Sequence, residues 1–183
     1  MRKCSFCALL VAAFLILAPN DDSGAGVFYA RDEALELAFP NADRTETKDF
    51  FLTPEQRSRI ESLARAPLDS SFLTVYVGYQ GREILGYAVI DTHLVRTLPE
   101  TFLVVISPDG AIAATHVLAF YEPSEYLPTA SWLRQFAGAT LSDDLHVGRK
   151  IAGITGSTLT SRAVTSGIRR ALAIYEALLR KQD

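Results

Sequence analysis

Residues 151–161 read IAGITGSTLTS, a stretch that combines two glycines with five side-chain hydroxyls. A helical pattern of apolar residues begins directly after it at Val164, and its last turn carries the basic residues Arg180 and Lys181. The start of a helix exposes unpaired backbone N–H groups and partial positive charge, which together suit a phosphate group. The stretch therefore predicts a phosphate-binding loop, with one simpler alternative in which the hydroxyls only cap the helix.

The composition of the chain is that of a globular protein with one ordinary core. Its 183 residues are enough for a single domain, and the hydrophobic fraction of 49% excludes a disordered chain. The formal net charge is −3 and no run of lysine and arginine occurs, so nothing indicates binding to DNA or RNA. We therefore expect no nucleic-acid partner.

The N-terminus has the layout of a secretory signal peptide. Two basic residues precede an apolar run over residues 4–18, and a proline with small polar residues follows it. We expect residues 1–25 to be the signal peptide, with cleavage near Ala25, and residues 26–183 to form one exported domain. An uncleaved anchor is the alternative, although a spanning helix needs about 20 apolar residues.

Several kinds of reactive site have no support in the sequence. Both cysteines, Cys4 and Cys7, lie within the predicted signal peptide, so the mature domain would have neither a disulfide nor a thiolate. The three histidines, His93, His116 and His146, lack metal-ligand spacing, and we expect them to be surface or partly buried residues. No P-loop or nucleophile elbow occurs. We therefore predict neither a metal site nor a catalytic residue.

The pattern of the central chain predicts an α+β fold, with an antiparallel sheet of two hairpins and helices packed against it. The hairpins turn at Gly81 and Gly110, where turn-forming residues separate segments rich in β-branched and aromatic side chains. The four predicted strands cover residues 72–79, 83–91, 101–106 and 111–120.

Helices are predicted on both sides of these hairpins. Thr53, Pro54 and Gln56 have the spacing of a capping box and start a helix that runs to about residue 66. The residues between 40 and 52 read as a charged link. The other predicted helices are a short one over residues 31–39, another over 131–136, and the C-terminal helix after the opening stretch.

The sequence TGSTLTS, which begins at Thr155, resembles the S/T-G-A-T-x-T-S motif of the FMN-binding domain family. That family includes flavin-carrying subunits of the sodium-pumping NADH:quinone oxidoreductase and of the Rnf complex, and stand-alone exported flavoproteins. Its last Thr in S/T-G-A-T holds FMN through a phosphoester bond, and the matching residue here is Thr158. The resemblance implies that the neighbouring motif residues also contact FMN; these are Thr155, Gly156, Ser157, Thr160 and Ser161.

The chain departs from the family motif at two positions. Ala152 stands where the family commonly has Asp, and Ser157 stands where Ala is usual. The segment between sheet and motif also holds Glu122, Tyr126 and Trp132, which we expect near the Thr158 loop as the wall of the flavin-ring pocket. The alternative is that these three residues only pack the core.

The resemblance implies an exported FMN-carrying electron-transfer protein, a redox carrier more than an enzyme that converts a substrate. It would lie in the periplasm or on the outer face of a membrane. Its partners would be a flavin transferase and membrane or exported electron-transfer proteins. Two alternatives stay open: FMN or another small ligand bound without a covalent bond, which Ala152 motivates, and a flavin-free accessory subunit of a membrane redox complex.

Overall fold

The computed structural model describes residues 26–95 and 97–180; the predicted signal peptide lies outside this part of the chain. The described strands form one antiparallel sheet in the order β1-β6-β5-β4-β3-β2. They are β1 Gly26–Val27, β2 Arg44–Phe51, β3 Phe72–Gln80, β4 Glu83–Leu94, β5 Pro99–Ile106 and β6 Ile112–Phe120.

Helices pack against this sheet, so the predicted α+β class with two antiparallel hairpins is confirmed. The helices are α1 Arg31–Ala38, α2 Pro54–Ala64, α3 Ala130–Leu133 and α4 Thr158–Ile174, with 3₁₀ turns at Ser124–Tyr126 and Arg134–Phe136 and a π-turn at Tyr175–Leu179. Among the described residues, no helix is both long and apolar enough to cross a lipid bilayer.

The two hairpins turn where the sequence predicts. Gly81 has a φ of +60° and Gly110 a φ of +89°, a left-handed conformation that glycine adopts without steric strain. A side chain at Gly110 would also collide with the ring of Tyr175, which follows α4. The second hairpin is therefore tied to the C-terminal helix at its turn.

The predicted charged link between residues 40 and 52 is wrong, because Arg44–Phe51 forms the edge strand β2. It pairs along its whole length with β3, from Arg44 opposite Tyr79 to Phe51 opposite Phe72. Most of its side chains are exposed and several are charged, so the alternation that marks a half-buried strand is missing. Charged side chains are a common feature of edge strands, where they discourage pairing with a second sheet edge.

The start of α2 confirms the predicted capping box. The Thr53 hydroxyl accepts a hydrogen bond from the Gln56 backbone N–H at 3.2 Å, and the Gln56 side chain accepts one from the Thr53 N–H at 3.0 Å. Such a cap stabilises a helix by about 1 kcal/mol. The helix ends before Arg65, which adopts a left-handed φ of +54°.

A fully enclosed arginine fixes the end of α2 to α4. Arg169 is 2% exposed, and its guanidinium donates to the carbonyls of Ala64 at 2.8 Å and Leu63 at 3.2 Å. It also donates to the carbonyl of Ser142 at 2.6 Å. Arg169 thereby satisfies carbonyls that the end of α2 leaves unpaired, and it holds the loop before the motif against α4.

The direction of α4 decides where the motif lies. The Tyr175 ring contacts Tyr87 edge-on, with centroids 5.6 Å apart, while Gly167 lies against Asp91 farther along β4. The helix therefore runs along β4 with its N-terminus toward the β4–β5 turn. Ile168 and Leu172 are buried in the main core, and α1 packs over the opposite face of the sheet.

Candidate functional site

Among the described residues, no side chain caps the N-terminus of α4. Thr158 is the first residue of the helix, and the preceding Ser157 makes no capping hydrogen bond. The Ser157 hydroxyl instead donates to the carbonyl of Tyr126 at 3.3 Å. The simpler interpretation, in which the motif hydroxyls only cap the helix, therefore fails for Ser157. First-turn N–H groups without a side-chain acceptor are suited to bind an anion.

Burial separates the three threonines of the motif. Thr155 and Thr158 are exposed, whereas Thr160 is 2% exposed. A transferase or a ligand can therefore reach the hydroxyls of Thr155 and Thr158 and not that of Thr160. Thr158 differs from Thr155 in lying at the helix start itself.

Ser161 has a structural position within the motif. It is fully buried, and its hydroxyl donates to the Ser157 carbonyl and accepts from the Ile154 N–H, both at 2.9 Å. These two bonds hold the loop against the first turn of α4. Gly156 lies between them in a left-handed conformation with φ +79°, and apart from its chain neighbours no described residue lies within 4 Å of where its Cβ would be.

A small cleft of about 10 Å³ lies beside the motif. Glu122 lines it and is only 5% exposed, yet its buried Oε1 has no hydrogen-bond partner in the described part of the chain. A buried oxygen of this kind calls for a donor from water or from a ligand. The volume is about that of one water molecule, so no aromatic ring fits inside. The cleft is lined by Val95, Glu122, Tyr126, Gly156, Ser157, Leu159 and Thr160.

Trp132 lies outside this cleft and is hydrogen-bonded to the loop that precedes the motif. It is 8% exposed, packs edge-on against Phe136, and donates its indole N–H to the Ala152 carbonyl at 2.6 Å. The Gln135 side chain accepts from the Ala152 N–H at 2.9 Å. Of the three residues expected to wall a ring pocket, the structure brings Glu122 and Tyr126 to the motif, and it places Trp132 in the core.

A buried charged cluster near the cleft was missed in the sequence. Arg170 binds the Asp91 carboxylate in a bidentate manner at 2.7–3.0 Å, and the same carboxylate lies 2.6 Å from His93 Nδ1. His93 Nε2 lies 3.7 Å from Glu100 Oε2. Glu100 is fully buried, and neither of its carboxylate oxygens has a hydrogen-bond partner among the described residues.

Burial and charge act in opposite directions in this cluster. Burial disfavours the charged form of Asp91, but hydrogen bonds to His93 and Arg170 outweigh it and lower the pKa of Asp91. Burial also disfavours the imidazolium of His93, but the Asp91 and Glu100 carboxylates outweigh it and raise the pKa of His93. The two carboxylates therefore favour the protonated form of His93, which lies between them.

The cluster and the cleft lie at the same end of the sheet. His93 precedes the cleft residue Val95 by two positions in the chain, and Glu100 pairs with Phe120, two positions before Glu122. Two residues of strand correspond to about 7 Å. The sequence held one signal for the cluster: Asp91 and His93 lie two residues apart, which places both side chains on one face of β4.

Two comparisons with known proteins each found a similar protein or family. Residues 70–173 match the family model of the FMN-binding domain. Over 123 residues the chain is 33% identical to a component of the Na⁺-translocating ferredoxin:NAD⁺ oxidoreductase complex of Acetobacterium woodii. The aligned part covers 58% of this chain and 56% of that relative, so the match extends over little more than half of it.

Proposed function

Because the chain belongs to the FMN-binding domain family, whose cofactor is FMN, we propose that it is an electron-transfer flavoprotein that carries FMN through a phosphoester bond to Thr158. One observation supports the attachment site: Thr158 is exposed at the N-terminus of α4, which no side chain in the described part of the protein caps. A phosphodiester there keeps one negative charge, which the first-turn N–H groups and the helix dipole stabilise.

The residues around Thr158 fit the phosphate end of FMN. Gly156 leaves the loop open to close approach, and Thr160 is too buried to compete as the attachment site. The unpaired Glu122 oxygen can accept a hydrogen bond from the hydroxyl groups of the FMN sugar chain. Thr155 is the exposed competitor, and it lies before Gly156, away from the helix start.

The flavin ring would lie outside the small cleft, on the surface of the domain. Two leucines near the attachment site are exposed: Leu159, within the motif and next to Thr158, is 48% exposed, and Leu94, next to the cleft residue Val95, is 68% exposed. Apolar side chains of this kind offer a flat ring a surface to cover. When bound, FMN supplies the electron chemistry, and the protein supplies its attachment and position.

The proposed setting is an exported domain that works with membrane or exported electron-transfer proteins. The apolar run over residues 4–18 supports export, and the similarity to a component of an oxidoreductase complex supports a redox partner. A flavin transferase would make the bond from a donor in which FMN is joined to a nucleotide by a phosphoanhydride. The Thr158 oxygen would form a bond to the FMN phosphorus, the P–O bond to the nucleotide would break, and the nucleoside monophosphate would leave with the hydroxyl proton taken up by the leaving group or by solvent.

The test is intact mass spectrometry of protein made in an exporting host together with a flavin transferase. The wild type, Thr155→Ala and Thr160→Ala should each gain one FMN less one water, and Thr158→Ala should gain nothing. The Thr158 substitution should reduce stability by less than about 1–2 kcal/mol, because the residue is exposed. FMN retained on the Thr158 variant would move the site to another hydroxyl.

Acid denaturation separates the covalent form from the alternative that Ala152 motivates. Yellow colour that stays with the precipitated wild type requires a covalent bond. Colour that is released into the supernatant would show that FMN is bound without a bond, and would refute the phosphoester part of the proposal. A colourless wild type would refute flavin carriage as well.

A further inference from the structure

Part of strand β6 is an open edge of the sheet. At one end, the Ile112 N–H donates to the Ala139 carbonyl and the Ile112 carbonyl accepts from Gly138, both at 2.8 Å. At the other end, the Leu118 carbonyl accepts from the Phe28 N–H at 2.8 Å. Between these two ends, no described residue makes a backbone hydrogen bond with the outer side of β6.

The register shows which backbone groups point outward. The Ser107 N–H donates to the Ala111 carbonyl at 2.8 Å, so Ser107 faces β6. Backbone groups alternate sides along a strand, so Val105 and Leu103 also face β6, where their partners are Ala114 and His116. The intervening Thr115 and the following Val117 therefore direct their N–H and C=O groups away from β5, in one row along the edge.

An apolar groove of about 500 Å³ lies along this row. Phe28 and Tyr29 line it, and both are exposed, at 42% and 40%. Leu133 and Arg134 line it from the side of α3. The buried hydroxyl of Thr115 also lacks a hydrogen-bond partner within residues 26–95 and 97–180, so both the backbone and the side chain of this residue have unsatisfied polar groups.

The groove has room for one short extended segment beside β6. The open row lies between Ile112 and Leu118, which are about 20 Å apart along the strand, and the paired backbone of these two residues closes both ends. A second copy of this domain would bring the same flanking segments with its own β6 and collide. Gly26 pairs with Phe120, and β1 runs from there toward Leu118. The first described strand therefore meets β6 at the end opposite Ile112.

The charge of the groove indicates which kind of side chain the bound segment carries. Arg134 is exposed on the groove wall, and no described residue pairs with its guanidinium. Burial lowers the pKa of His116, the other basic group that lines the groove, so His116 is neutral at pH 7. The net positive charge on this side favours an acidic side chain in the occupant.

We propose that the β6 edge at Thr115 and Val117 is a docking site for an extended segment of a partner protein, which adds to the sheet as a strand and places an acidic side chain against Arg134. Main-chain hydrogen bonds provide affinity in this mode of recognition, and alternate side chains provide specificity. The site is separate from Thr158 and does not depend on the flavin.

The test uses the full chain and a capped peptide of about five residues that alternates valine and threonine around one glutamate. Without peptide, the amides of Thr115 and Val117 should exchange with deuterium at least about tenfold faster than those of Ala114 and His116. Saturating peptide should slow the two outward amides at least about tenfold and leave the inward pair unchanged. Equal exchange of all four amides without peptide, or no protection at millimolar peptide, would overturn the proposal.

Two matched controls separate strand addition from unspecific binding. N-methyl groups on the peptide residues that face β6 should weaken binding by at least about tenfold, whereas the same groups on the alternate residues should change it less than about twofold. Arg134→Glu should weaken binding about fivefold, and Arg149→Glu, at an exposed position outside the groove, should not. Equal losses of peptide affinity for both N-methyl patterns, or for both arginine variants, would refute strand addition. Slower exchange of the Thr115 and Val117 amides that needs only FMN, or only a higher protein concentration, would assign the groove to the flavin or to a second copy of the protein.

Discussion

Nε2 of His93 lies 3.7 Å from Oε2 of Glu100, a carboxylate that is completely buried and has no hydrogen-bond partner among the described residues. The opposite ring nitrogen of His93 lies 2.6 Å from Asp91, which Arg170 also binds. A protonated histidine in this position lowers the electrostatic cost of burying Glu100. The protonation state of one side chain is thereby linked to the stability of the sheet beneath α4.

We expect the free energy of unfolding to decrease as the pH rises through the folded-state pKa of His93. That pKa is raised, so the folded protein holds a proton that the unfolded chain releases. The stabilisation is complete below the unfolded pKa of about 6.5 and is lost above the folded value. Urea unfolding at a series of pH values from below 6.5 upward measures this change in the free energy of unfolding.

The control for this pH dependence is a second histidine. His93→Gln should remove the decrease, whereas His146→Gln should keep it, because His146 lies outside the cluster and its pKa is lowered, chiefly by burial. A wild-type stability that is flat or rises through this pH range would contradict the linkage.

Gly167→Ala should destabilise the protein, although alanine favours a helix over glycine by about 1 kcal/mol. A Cβ at this position would lie 2.5 Å from Asp91 Oδ2, and Arg170 and His93 hold that carboxylate in place. We expect a net loss of about 1–3 kcal/mol in urea unfolding. Ser166→Ala, one residue earlier in the same helix, should change stability by less than about 1 kcal/mol.

Trp132→Phe should reduce stability by about 1–2 kcal/mol, because the indole bond to the Ala152 carbonyl is lost. The indole ring is buried in the core, whereas the flavin ring would lie on the surface, so the absorption and fluorescence of bound flavin should stay as in the wild type. Thermal unfolding and a flavin spectrum of the same sample test both parts. A shifted spectrum with unchanged stability would place Trp132 against the flavin.

Glu122→Gln should weaken non-covalent FMN binding about fivefold, because a charged acceptor forms a stronger hydrogen bond than a neutral one. The flavin-free protein should not lose stability, since the amide removes a buried unpaired carboxylate oxygen. Fluorescence titration of Thr158→Ala protein with and without the Glu122 substitution measures the effect. Glu125→Gln, at an exposed neighbouring position, is the control and should bind FMN as its parent does.

Local sequence rules predicted the parts of this fold that local chemistry determines. The Thr53 and Gln56 capping box, the glycine turns at Gly81 and Gly110, and the helix after the motif are patterns within a few residues. The resemblance of the Thr155–Ser161 segment led to the family that the comparison supports.

Three features of the structure could not be predicted because they depend on contacts between residues that are far apart in the sequence. Strand β2 is held by backbone pairing with β3, which leaves no alternation in its side chains. The charged cluster joins β4 to α4 across 79 positions, from Asp91 to Arg170. Trp132 and Tyr126 are both aromatic residues in one irregular segment, and only the packing separates a core position from a cleft position.

The exposed strand β2 has a consequence for the behaviour of the protein in concentrated solution. An open sheet edge is a template for intermolecular β-aggregation, and the charged side chains of Lys48 and Asp49 oppose the approach of a second edge. The β6 edge has no such charges and is sheltered between paired segments instead. Neutralising β2 would therefore promote fibrillar self-association without removing a single core contact.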